Sequence, residues 1–194
     1  MDVCHLPVGC GDHGDDTVND GWHAPDQEEG FEVDIVIREL VGLEEIAAIY
    51  PLYQQTGSMP EGLFRERLAA MIAQGNYRCV AAFIGERMVG MSGFWIGVQL
   101  WAGKWAEADH VVVDAQMRSV GIGAKLMAWI EEEAARVGCD ITRISMVLGK
   151  ERTHKFYSRN GYADDALILV KPLSAWAETE FPEYTAHKVK MERG

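Results

Sequence analysis

The stretch Val111-Val112-Val113-Asp114-Ala115-Gln116-Met117-Arg118-Ser119-Val120-Gly121-Ile122-Gly123-Ala124 decides how this chain is built. The apolar, β-branched run at its start has the character of a buried strand. A polar turn follows, and Arg118-x-x-Gly121-x-Gly123 leads into a helix with an apolar stripe of Ile122, Leu126, Ile130, Ala134 and Val137. Strand, glycine loop and helix start together present free N–H groups at the positive end of a helix dipole. That order suits a phosphate, because glycine lets an anion approach the amides where a Cβ would hold it off; by itself the loop also reads as a turn that merely joins a strand to a helix. Two other phosphate loops are excluded by spacing. No Gly-x-x-x-x-Gly-Lys-Ser/Thr run is present, and a dinucleotide fingerprint would need glycine where Leu126 stands.

A second motif lies downstream, at Phe156-Tyr157-Ser158-Arg159-Asn160-Gly161-Tyr162, preceded by His154-Lys155. Taken together, the two motifs resemble those of the GNAT superfamily of N-acetyltransferases. In that family Arg/Gln-x-x-Gly-x-Gly/Ala after a strand holds the acyl-CoA pyrophosphate, and Phe-Tyr-x-x-x-Gly-Phe/Tyr follows the fifth strand. Thr153 stands where the family usually has alanine before the histidine. The resemblance covers about residues 33 to 171.

Several roles follow from the resemblance. Acetyl-CoA is the implied co-substrate, with no metal. The amides of Ser119, Val120, Gly121, Ile122, Gly123 and Ala124, together with the Arg118 guanidinium, would hold its pyrophosphate. Val111 and Val113, with Val112 between them, would offer backbone groups to the pantetheine arm and the acetyl carbonyl. Tyr157 would donate a proton to the departing thiolate. Without the resemblance, Tyr157 is simply an amphipathic helix residue packed beside Phe156.

Two neighbours compete for the role of base. Asp109 occupies the position where many members of the family carry glutamate at the start of the fourth strand. His110 has the pKa better matched to neutral pH. Strand alternation predicts that the two point to opposite faces, so that only one meets the cleft. Asp109 is preferred, because a carboxylate both attracts an ammonium ion and takes its proton. Either residue also has a purely structural reading, as a hydrogen-bonded strand end.

Length and charge agree with one catalytic domain. A chain of 194 residues supports a single sizeable core. The net charge of −12 is mostly local: residues 1–30 hold eight acids and no Lys or Arg, leaving 22 acids against 18 bases in residues 31–194. The domain thus lacks the basic face that nucleic-acid binding needs. No apolar run approaches the ~20 residues that span a bilayer. No basic region precedes an apolar core at the N-terminus, so a signal peptide is not expected and a reducing cytoplasm is the expected setting. Residues 1–30 are predicted to form a disordered acidic tail. Cys4, His5, Cys10 and His13 within it match no usual metal-ligand spacing. Cys79 and Cys139 lie in or beside apolar segments and read as small hydrophobes. Cys139, following Gly138 at a helix end, is poorly placed to act as a thiolate nucleophile.

Periodicity predicts a β-α-α-β-β-β-α-β-α-β order and an α/β (α+β mixed) domain over 31–194. Its sheet is expected to be mixed, mostly antiparallel and of about six to seven strands, flanked by helices. A strand is predicted over 31–40 and a helix from Leu43 that kinks or ends near Pro51. Ser58-Met59-Pro60-Glu61 has the form of a capping box opening the next helix. Strands are predicted over 77–84 and 88–100, around a turn at Gly85, then into Asp114, over 141–148 and over 166–170. Glu131-Glu132-Glu133 is expected on the solvated face of the long helix. Trp95, Trp101 and Trp105 flank the hairpin before the fourth strand, suited to a cation-binding pocket wall, to packing on the sheet or to a homodimer contact. The function expected is direct acetyl transfer to a primary amine of a small molecule. Its alternatives are a non-catalytic acyl-CoA-binding module and a peptide or protein N-acetyltransferase.

Overall fold

The computed structural model describes residues 34–147 and 149–180. The acidic tail and its cysteine–histidine group lie outside them.

Five strands form one sheet in the order β1-β2-β3-β4-β5: β1 (Val36–Leu40), β2 (Tyr77–Ile84), β3 (Arg87–Gln99), β4 (Gly103–Val113) and β5 (Ile141–Ile144). The first four are antiparallel neighbours, and β5 runs parallel to β4. The architecture is therefore the mixed, mostly antiparallel α/β sheet expected, with five strands among the described residues where six to seven were expected. Ala166–Val170 makes no ladder and stands exposed, Leu169 most of all at 91%. Apolar composition alone does not make a strand. It needs an edge to pair with, and the segment does not lie along β5. β5 is also shorter than its apolar run, ending at Ile144.

Helices cover both faces. On one lie α1 (Leu43–Ala47), α2 (Tyr50–Tyr53) and α3 (Glu61–Ala73); on the other lie α4 (Ile122–Arg136) and α5 (Glu151–Arg159). A short α6 (Ala175–Glu180) was not foreseen. The break near Pro51 falls between α1 and α2, with the proline in the first turn of α2 where its missing N–H costs nothing. The capping box does not form. Pro60, not Ser58, is the residue before α3, and its carbonyl accepts the first helical bond from Phe64 N at 2.9 Å.

Period-two alternation sorts the core. Cys79, Ala81 and Met91 join Ile46, Leu52, Phe64 and Leu68 beneath α1–α3, whereas Val80, Ala82 and Val89 join Ile122, Leu126 and Ile130 beneath α4. The second layer is tight at Gly90, where an added Cβ would come within 2.8 Å of the Ile122 side chain. That close approach fixes the first turn of α4, and with it the glycine loop, against β3.

The acidic triplet of α4 departs from expectation. Glu133 is buried, held by Arg78 Nη1 at 2.5 Å and Arg136 Nε at 2.6 Å. It lies seven residues beyond Leu126, two helical turns along the same stripe. Only Glu132 of the three is exposed, and Glu131 accepts from the Tyr162 hydroxyl at 2.9 Å.

Candidate active site

The site begins where β4 and β5 part. Their parallel pairing runs from Trp105↔Ile141 to Ala108↔Ile144 and stops. From Asp109 to Val113, β4 keeps β3 on one side, and β5 has ended on the other. Backbone groups along that edge are left for a ligand to meet. Val112 is buried beneath α1–α3, while Val111 and Val113 pack partly against the α4 layer.

A bulge sits at the fork. Met91 pairs with Val112 and Gly93 with Asp109, so Ser92 of β3 faces two residues of β4, His110 and Val111. His110 takes a left-handed φ of 50°, a conformation uncommon outside glycine. This breaks the alternation that would have sent Asp109 and His110 to opposite faces. Instead their side chains meet, with Nδ1 of His110 2.7 Å from Oδ1 of Asp109.

The surroundings set the charge of this pair. Burial raises the Asp109 carboxyl, but the His110 hydrogen bond and charge, with Trp95 Nε1 donating at 3.3 Å, outweigh it and hold the group low. His110 is raised by its bond to Asp109 and by the carboxylate charge, against partial desolvation. Its side chain remains 57% exposed. The Tyr53 ring of α2 packs 5.8 Å from the imidazole, and Tyr77 of β2 stacks on Trp95 at 4.9 Å.

Below the fork stands Glu107, two residues before Asp109. Its carboxylate accepts from Arg143 Nε at 2.7 Å and Ser145 Oγ at 2.6 Å, tying β4 to the end of β5. Arg143 also lies over the Trp105 ring at 3.9 Å. Trp105 is thus committed to packing, and Trp101 is 69% exposed at the hairpin tip. Of the three tryptophans only Trp95 touches the Asp109–His110 pair. Glu107 and Tyr53 escaped the sequence reading. The spacing of Glu107 from Asp109 places both on one strand face and would have found the first; no local pattern marks the second.

The glycine loop closes the other end. Asp114 is buried, caps the following 3-10 turn (Ala115–Met117) through Gln116 N and pairs with Arg87 at 2.7 Å. Gln55 accepts from Ala115 N at 2.9 Å. Beyond these anchors, Ser119 and Gly121 adopt left-handed φ values of 72° and 84°, a form of turn that curls successive amides into an anion-binding concavity. The first bond of α4 runs from Lys125 N to the Gly121 carbonyl, and among the described residues the amides of Ser119 to Ala124 donate to nothing. A Cβ on Gly121 would meet nothing within 4 Å, so the space outside the loop is open. These features suit a pyrophosphate.

α5 is locked to the loop, with Phe156 Cζ 3.3 Å from where a Cβ on Gly123 would lie. Tyr157 follows, buried edge-on between Phe156 and Tyr162. Its hydroxyl has no hydrogen-bond partner among the described residues, and burial pushes the phenol up to about 12. Cys139 is only partly buried, and desolvation raises its thiol, which leaves it a poor nucleophile.

The acetyltransferase (GNAT) family model matches residues 43–162, the span from α1 through the fork and glycine loop to Tyr162. The chain belongs to the GNAT acetyltransferase family. A similar relative is the aminoalkylphosphonate N-acetyltransferase of Salmonella typhimurium, 32% identical over 111 residues, which are 57% of this chain and 72% of that one. Solved structures share the GNAT fold. A putative acetyltransferase from Agrobacterium tumefaciens has a TM-score of 0.62 and 22% identity over 71% of this chain and 99% of its own. An aminoglycoside acetyltransferase from an uncultured soil metagenomic sample, in complex with sisomicin, has 0.62 and 17% over 72% and 97%. This GNAT protein is an acyltransferase, and the family's co-substrate is acetyl-CoA. Among the described residues no group of His, Cys, Asp and Glu is arranged to hold a metal, and no helix is long and apolar enough to cross a membrane.

Proposed function

We propose that this GNAT enzyme transfers an acetyl group from acetyl-CoA directly to the primary amine of a small molecule. The observation that carries this reading is the fork. The open edge of β4 runs from the Asp109–His110 pair towards the amide-lined loop, and Tyr157 packs in the same layer as Val111 and Val113.

The loop amides and Arg118 hold the pyrophosphate, and the open edge of β4 along Val111–Val113 receives the pantetheine arm. Asp109 takes the Nδ1 proton of His110 in a hydrogen bond, which leaves Nε2 as the basic atom. His110 is therefore the better base, and Asp109 positions it and draws the ammonium in; this reverses the preference drawn from sequence. His110 removes a proton from the acceptor nitrogen, the nitrogen bonds to the acetyl carbon, and the carbon–sulfur bond breaks. Tyr157, protonated at neutral pH, donates to the departing sulfur, and the second nitrogen proton, lost as the amide forms, restores the phenol through solvent.

Thiol release from acetyl-CoA over a panel of amines tests this. The relative named for aminoalkylphosphonates puts 2-aminoethylphosphonate first, followed by aminoglycosides, polyamines and peptides. Turnover of a small amine is the expected result. Acetyl-CoA binding without release would leave a binding module, and turnover of peptides alone would make the acceptor a protein.

A further inference from the structure

Six of the ten described arginines are neutralised. Arg78, Arg87, Arg136 and Arg143 each hold a carboxylate, and Arg38 and Arg65 pair with Glu45 and Glu44. The other four pair with no acid among the described residues, in a chain with an excess of acids. Arg118 in the glycine loop and Arg152 and Arg159 on α5 stand exposed; Arg67, on α3, is the half-buried one of the four. Its guanidinium lies over the Trp176 ring of α6 at 4.8 Å. No hydrogen bond among the described residues uses its N–H donors, and a guanidinium with free donors can grip an oxyanion with two bonds.

Its place in the fold connects it to the fork. One turn before Arg67 on the same helix, Phe64 packs on the Tyr53 ring at 5.0 Å, and Tyr53 packs on His110 at 5.8 Å. The positive charge of Arg67 is felt at the Tyr53 phenol, where it opposes the effect of burial. A cation thus stands near the Tyr53 hydroxyl, beside the ring that packs on His110, while Asp109 supplies the negative charge on the β4 side. A half-buried cation without a counter-charge costs stability unless a ligand supplies one.

We propose that Arg67 is a specificity-determining residue that binds an acidic oxyanion group, of phosphonate or carboxylate type, carried by the same small molecule whose amine is acetylated. The acceptor is then a short zwitterion, its ammonium at Asp109 and His110 and its acid at Arg67. This rests on the acetyl-transfer reading of the fork and adds to it the class of acceptor.

The test compares three acceptors of similar length: 2-aminoethylphosphonate, β-alanine and ethanolamine, which has no acid. Wild type is expected to favour at least one of the two acids over ethanolamine in kcat/KM. Arg67→Gln should reduce that preference at least about tenfold, mainly through KM, and Arg67→Lys should fall between. Melting temperatures of the variants check that α6 stays docked. An unchanged preference in Arg67→Gln, or a wild type that favours ethanolamine, overturns the proposal. If wild type acetylates no amine at all, the acetyl-transfer reading fails by itself. Arg67 is then judged by calorimetric titration of 2-aminoethylphosphonate into the CoA-bound protein. Binding lost in Arg67→Gln upholds it, and absent or unchanged binding overturns it.

Discussion

Asp109 and His110 are adjacent in sequence, yet their side chains face each other across 2.7 Å, because a bulge turns the strand at the histidine. The pair sits among Trp95 of β3, Tyr53 of α2 and the partly buried Tyr77 and buried Cys79 of β2, none of which is charged at neutral pH. The carboxylate therefore dominates the imidazole's titration.

A base works deprotonated, so a raised His110 pKa moves the acidic limb of the pH–rate profile upward from the ordinary histidine position. Asp109→Asn removes the charge that raises it, and the limb should move to lower pH while kcat falls about tenfold or more. His110→Gln should abolish the limb. Loss of the limb in Asp109→Asn with its retention in His110→Gln would exchange the two roles.

Tyr157→Phe should lower kcat by roughly 100- to 10,000-fold while leaving acetyl-CoA affinity close to wild type. With the phenol at about 12, the hydroxyl stays protonated and contributes no alkaline limb below about pH 10. A loss of less than about threefold in single-turnover rate would make Tyr157 a packing residue.

The two loop glycines should fail differently. Gly121→Ala forces a side chain into a left-handed φ, at about 1–2 kcal/mol, and should weaken acetyl-CoA binding. Gly123→Ala presses on Phe156, so it should disturb Tyr157 and lower kcat as well as affinity. Calorimetry showing wild-type affinity in both variants would remove the loop from the co-substrate site.

Glu133 gives the fold a pH dependence unrelated to catalysis. Hydrogen bonds from Arg136 and Arg78 outweigh burial and hold its carboxyl at about 2. A depressed carboxyl stabilises the fold above its unfolded value of about 4.5, and that contribution is lost as pH falls towards 2. Glu133→Gln should lower the melting temperature at pH 7 and flatten its fall between pH 4.5 and 2. Equal acid sensitivity in the two proteins would show that other carboxylates govern the transition.

What the sequence revealed follows how local each feature is. The glycine loop was readable because left-handed φ values and close approaches demand particular residues, and Gly121 and Gly123 supply them. The long helix was readable from its stripe, although Glu133 was misplaced by attending to its acidic neighbours rather than its spacing from Leu126. The bulge at His110 was not readable. No glycine or proline marks it, and it arises from the register between β3 and β4, a relation between distant segments. The same holds for the missing sixth strand, since Ala166–Val170 has a strand's composition and no partner. Arg67 went unnoticed because an arginine's significance here lies in the acids that do not surround it.

The parting of β4 from β5 has a thermodynamic side. Over Asp109–Val113 alternate residues of β4 turn their hydrogen-bonding groups to an edge that β5 no longer covers, so in the proposed site folding and co-substrate binding share a free energy. By mass action, a ligand at 100 times its Kd adds about 2.7 kcal/mol to the folded state. Heat tolerance should therefore rise with the acyl-CoA around the protein, and amide exchange along Asp109–Val113 should slow as that concentration rises.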